Sequence, residues 1–135
     1  MRVNFCIFDE IGKILLTGSN EITNLPTANV LIMEDNFPEI SILTNTCYVK
    51  DGIITERPTQ TTTTDKLTLI ADGIDTITIS NAPSGIFTAV NTATHETVSG
   101  AINGTDTFAT TIQGTYTIRI ESFPYLDFTA TIEAI

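Results

Sequence analysis

His95 is the one histidine of this 135-residue chain, so any chemistry that needs an imidazole, as base or as metal ligand, must pass through it. It sits in "NTATHETV", a polar, loop-like segment with no second His and no Cys at metal-ligand spacing. A solvated loop side chain is the expectation there. Cys6 and Cys47 lie in separate apolar segments. In a reducing compartment they are expected to be two buried free thiols, with a disulfide as the alternative, and neither has a base beside it in sequence. Asp72 and Asp75 in "ADGID" could offer oxygens to Ca²⁺, but a turn Asp followed by a strand-opening Asp is the simpler reading. Glu34 and Asp35 beside Asn36 suggest a solvated loop. Asn103-Gly104-Thr105 matches a glycosylation acceptor, yet Asn-Gly is first of all a hairpin turn. The chain has no Gly-rich phosphate loop, no G-x-S-x-G and no H-E-x-x-H. The sequence therefore proposes no catalytic residue, no metal ligand and no cofactor, and the protein is expected to be non-enzymatic.

Charge narrows the partners further. Sixteen acids against six bases give a net charge of −10, and Arg2, Lys13, Lys50, Arg57, Lys66 and Arg119 are scattered. Phosphate neutralisation needs clustered cations, so nucleic acid and anionic membranes are not expected as partners. No apolar run approaches a membrane span. "MRVNFCIFDE" is not expected to be a signal peptide, because Asn4 and then Asp9-Glu10 interrupt its apolar stretch. Synthesis in the cytoplasm is the expectation.

The elements that would position these residues are strands. β-Branched Ile, Val and Thr dominate, and few windows repeat apolar residues at helical spacing. "VNFCIF", "KILLTG" and "ANVLIM" are candidate strands, with Pro26 and Pro38 as loop markers around the third. "CYVKDGIITERP" predicts a hairpin in which Cys47 to Lys50 runs up, Asp51-Gly52 turns and Ile53 to Thr55 returns. The Thr-rich "RPTQTTTTDK" then marks a boundary, as an extended linker or an edge strand.

From Lys66 the pattern becomes regular. "TITIS" places Ile77 and Ile79 on one face, and "NAPSG" and "AINGTD" are expected turns. "TYTIRI" turns Tyr116, Ile118 and Ile120 inward, and "LDFTATIEA" does the same with Leu126, Phe128, Ala130 and Ile132. Short strands at roughly ten-residue spacing are the signal of an antiparallel sandwich. Within one, Tyr116 after Gly114 would make a tyrosine corner, its ring inside and its hydroxyl bonded back to backbone. The last two strands would form a hairpin turning at "ESFPYL", with Phe123 and Tyr125 capping the end of the core. The predicted fold is all-β: a small N-terminal β-domain over residues 1–57, a Thr-rich linker over 58–65, and an Ig-like antiparallel β-sandwich over 66–135.

Both halves resemble small virion proteins of tailed bacteriophages. "FCIFDEIGKILLTGS" followed by "CYVKDGIITERP" is similar to their N-terminal β-module. "LIADGIDTITISNAPSG…GTYTIRIESFPYLDFTATIEA" is similar to the Ig-like segment that often follows, with "QGTY" here where "PGTY" is common. The resemblance implies a structural protein of the virion, present in many copies or as a homo-oligomer and bound to a major capsid or tail subunit. Decoration or cementing of the outer surface is the leading expectation. A tail, collar or fibre-associated appendage, or a fibre-assembly factor absent from the mature particle, is the alternative.

Overall fold

Alternating apolar residues make strands because successive side chains of an extended backbone point to opposite faces. The structure, a computed structural model, describes residues 2–21, 29–33 and 45–135. Pro26, Pro38, Ala28 and the Glu34-Asp35-Asn36 cluster lie outside the described residues. The described elements are eleven strands, in two units spanning Met1–Pro58 and Thr59–Ile135. The all-β class is as expected.

In the first unit, β1 (Arg2–Phe8) is the centre of a three-stranded antiparallel sheet, flanked by β2 (Ile14–Glu21) and β3 (Val30–Met33). A separate hairpin pairs β4 (Cys47–Lys50) with β5 (Ile53–Glu56), Lys50 opposite Ile53. Asp51 and Gly52 take φ of 52° and 76°, the doubly positive geometry that an Asp-Gly two-residue turn supplies. The sheet and hairpin meet at the β1–β2 turn, where the Val49 amide donates to the Gly12 carbonyl at 2.8 Å. Gly12 has φ +90°, and a Cβ there would collide with the Val49 carbonyl, so only glycine fits. Cys6, Ile14, Cys47 and Val49 form the buried cluster beneath.

The second unit is a curled, six-stranded mixed sheet with the open form of a half-barrel. Its path runs β6 (Thr63–Thr64), β8 (Ile77–Asn91), β10 (Gly114–Glu121), β11 (Phe128–Ala134) and β7 (Thr68–Leu69), with β9 (Thr97–Phe108) on the other edge of β8. The β11–β7 pair is parallel and the rest are antiparallel. Leu69, Ile77, Ile118 and Ile132 are all but completely buried with Phe108 and Tyr116, and Ile79, Ile102 and Ile120 form a second cluster. Each such aliphatic side chain contributes about 1.5–3 kcal/mol on removal from water, so the alternation of β8, β10 and β11 holds the sheet in its curl.

Three expectations need revision. "NAPSG" is not a turn between strands: β8 runs through it with register shifts between Ile79 and Ala82 and between Ala82 and Gly85. Asn103-Gly104 is likewise no hairpin reversal but an irregularity inside β9, with Gly104 at φ +87° opposite Ala82. Bulges use the same positive-φ residues as tight turns, and here they bend the two long strands together. Third, the Thr-rich stretch read as an extended linker or an edge strand takes the second form at Thr63–Thr64, where β6 ends the sheet path. The buried Gln60 side chain donates to the carbonyls of Ile120 (2.9 Å) and Leu126 (3.0 Å), its Oε1 accepts from Thr62, and β6 pairs with β8.

Candidate interaction surface

In the second unit His95 and the Asp72–Asp75 pair are each set by bonds to nearby backbone. His95 follows β8 in a tight turn that Asn91 organises. Fully buried Asn91 accepts from the Ala93 and Thr94 amides at 3.0 and 3.1 Å, and its carbonyl accepts from the His95 amide at 2.8 Å. That leaves the exposed His95 at φ 61°. Asn91 carried no signal in the sequence beyond its place at the end of an apolar run.

Asp72 and Asp75 pin one loop. Asp72 Oδ1 accepts from the amides of Ile74 and Asp75, both at 2.8 Å. Asp75 accepts from the Ile70 amide at 2.8 Å and pairs with Lys66 at 2.5 Å. These bonds hold both carboxyls below their ordinary range: the Asp75 and Ile74 amides act on Asp72, and the Lys66 ammonium followed by the Ile70 amide acts on Asp75. Among the described residues no group of three His, Cys, Asp or Glu side chains is placed to hold a metal.

Cys6 and Cys47 belong to one buried apolar cluster, and both are free thiols. Burial pushes the Cys6 thiol up, outweighing a bond from the Leu31 backbone, which suits a packing role rather than a nucleophile.

The Tyr116 ring lies inside and its hydroxyl bonds back to backbone. Its ring is 4% exposed and packs edge-on against Phe108 with centroids 5.3 Å apart. The hydroxyl donates to the Ile112 carbonyl at 3.0 Å and shares a 2.8 Å bond with Thr110 Oγ1. The 110–113 loop is thereby locked onto β10.

The longest strand of the second unit with one paired side is β9: it is twelve residues long and, among the described residues, pairs only with β8, whereas the terminal strands β6 and β7 are two residues long and β7 covers only Glu133 and Ala134 of β11. Thr97 to Ala101 are exposed on both faces. Between Glu96 and Asp106 the strand has no charged residue and no proline, the devices that ordinarily blunt an edge. Its bend encloses a notch of ≈ 250 Å³ lined by Phe87, Val98, Gly100, Asp106, Phe108 and Ala109. In the first unit, a second open notch of ≈ 300 Å³ lies between the β1–β2 turn and the β4–β5 hairpin. Isolated apolar side chains also face solvent, among them Ile11, Ile53, Ile74 and Ile135, each above 60% exposed.

The second unit carries eight carboxylates against Lys66 and Arg119, and both cations are already engaged, Arg119 with Asp127 at 2.6 Å. Its surface is electronegative and offers no cluster of free cations. No family model, curated protein or solved structure matches the chain.

Proposed function

We propose that the protein is a non-enzymatic structural component of a tailed-phage virion that decorates or cements the outer surface of the particle. Its partner is a major capsid or tail subunit, on which it sits in many copies. In this reading the second unit is an Ig-like sandwich whose layers share strands. The first half of β8, the second half of β9 and β6 make one layer. The remaining halves of β8 and β9, with β10, β11 and β7, make the other. The bulges near Ala82 and Gly104 are the corners, and the Tyr116 hydroxyl bond is the lock that such a domain uses.

The observation that carries an assembled role is the β9 edge, twelve residues long and paired only with β8 among the described residues, beside a notch lined by Phe87, Val98 and Phe108 together with Asp106 and Thr107. Main-chain donors and acceptors on a free edge give a neighbouring strand its affinity, and a notch beside it gives selectivity. Ile11, Leu15, Leu16 and Ile53 on the first unit supply further apolar surface for docking. The paired resemblance of the Asp-Gly and Phe-Pro-Tyr hairpins directs this role to a virion.

The test is quantitative mass spectrometry of purified particles of the encoding phage, scaled to the major capsid protein. Hundreds of copies per particle are expected for decoration. A few to some tens move the protein to the tail or collar. Absence from the particle refutes the structural role and leaves an assembly factor.

A further inference from the structure

We propose that Asn103 is a site of self-modification, where the backbone nitrogen of Gly104 displaces the side-chain amide and leaves aspartate or isoaspartate on β9. The bond that forms joins that nitrogen to Cγ of Asn103, and the bond that breaks releases ammonia. The resulting succinimide ring takes up one water. Opening at the side-chain carbonyl gives aspartate, and opening at the main-chain carbonyl gives isoaspartate. No oxidant or reductant takes part.

Asn103 is the one asparagine of the chain that a glycine follows. Glycine has no Cβ to shield its nitrogen, and it lets the backbone swing into the attacking geometry. The fold leaves this pair free to react. Asn103 is exposed, and its side chain makes no hydrogen bond among the described residues. It also stands outside the β8–β9 ladder: Ile102 lies opposite Gly85 and Gly104 opposite Ala82, so Pro83 and Ser84 together face Asn103. Register shifts flank the Ala82–Gly104 rung on both sides. A rung isolated between two irregularities opens more readily than one in a continuous ladder, and opening frees the Gly104 nitrogen. Gly104 is at φ +87°, with nothing within 4 Å of the place a Cβ would take, so the ring has room to close.

The other groups that could form such a ring are worse placed. Asn91 is fully buried, and its side-chain oxygen accepts from the Ala93 and Thr94 amides. Asn81 precedes Ala82, which is buried. Asp51-Gly52 and Asp72-Gly73 present carboxylates, which resist nucleophiles, and Asp72 is further held by the Ile74 and Asp75 amides.

Either product puts a carboxylate into the stretch between Glu96 and Asp106, which is otherwise uncharged. Isoaspartate also inserts a methylene into the main chain and so disturbs the alternation of β9 beyond it. On the reading of β9 as the docking edge, each conversion withdraws one copy from strand pairing. The conversion itself does not depend on that reading.

The test holds the full native chain at neutral and at alkaline pH, beside a sample unfolded in guanidinium. Mass spectrometry follows the peptide that carries Asn103, with fragmentation that separates aspartate from isoaspartate. Exchange of NH2 for OH at Asn103 is expected in the native chain, with isoaspartate among the products. It is faster at alkaline pH, because the attacking nitrogen must lose its proton. The rate at Asn103 exceeds those at Asn81 and Asn91 by about tenfold or more, and Asn103→Gln, whose ring closes less readily, slows the exchange by a similar factor. Retention of Asn103 in the native chain overturns the proposal, whether or not the unfolded chain converts. Aspartate without isoaspartate also overturns it, since direct hydrolysis by water would then replace the attack by Gly104. The virion role is read from copy number per particle and fails or stands separately.

Discussion

Replacing Tyr116 by Phe isolates one bond of the second unit. The ring keeps its place, 5.3 Å from Phe108, and only the hydroxyl is lost. That hydroxyl donates to the Ile112 carbonyl and shares a bond with Thr110 Oγ1, so two hydrogen bonds disappear. Each is worth about 1 kcal/mol net, and a buried acceptor left unpaired costs more. Relief comes from two sides. Thr110 Oγ1 still accepts from the Ile112 amide at 3.0 Å, and Ile112 is 39% exposed, which gives water access to the loop. The expected loss is therefore about 1–2 kcal/mol, or about 5–15 °C in Tm for a unit of this size. Tyr116→Ala, which also empties the space beside Phe108, costs about 3–5 kcal/mol. The assay is urea denaturation followed through the amide resonances of Ile118 and Ile132, so that the second unit is read by itself. A loss in Tyr116→Phe below about 0.3 kcal/mol, with Tyr116→Ala still severe, would refute the hydroxyl lock and leave the ring as mere filler.

Gly12→Ala drives a Cβ into the Val49 carbonyl at a positive φ and is expected to destabilise the first unit by more than about 2 kcal/mol, whereas Gly52→Ala, with open space at its turn, costs only about 1 kcal/mol. Thermal melts of the two variants side by side check the contrast. Because Asp72 and Asp75 are held below their ordinary value of 3.8, they support the folded unit above that pH and withdraw support as pH falls through their folded values. NMR carboxyl titrations should place both midpoints below 3.8, and Asp75→Asn should flatten the acid limb of the stability curve. An Asp75 midpoint at or above the ordinary value would remove the Lys66 pair from the account. Cys6 and Cys47 should resist an aromatic disulfide reagent in the native chain at neutral pH and react fully in guanidinium, since both are buried and burial raises the Cys6 thiol; rapid native modification contradicts the packing.

The parts of this fold legible in the sequence are those whose causes are local. Alternation in "TYTIRI" puts Tyr116, Ile118 and Ile120 inside because period two is a property of an extended backbone, whatever surrounds it. The Asp51-Gly52 turn follows from two residues that tolerate positive φ. The back-bonding of the Tyr116 hydroxyl is readable for a similar reason, since the acceptor lies four residues away in the chain. Asn81 and Gly104 carry the same local preference, yet they bend long strands instead of reversing them. A positive φ allows a bulge or a hairpin equally, and the neighbour decides. Beside Gly85 the Glu121 carbonyl of β10 leaves no room for a Cβ and the Ser122 hydroxyl donates to Ser84, which keeps β8 extended through "NAPSG". Gln60 looked like part of a polar linker because its partners, Ile120 and Leu126, are sixty or more residues distant. The candidate surface was hidden for the same reason. Val98 and Gly100 are unremarkable in a polar stretch, and they matter only because the tertiary structure makes β9 an edge. Whether a strand is central or at an edge depends on where every other strand goes, and no local stretch of chain encodes that.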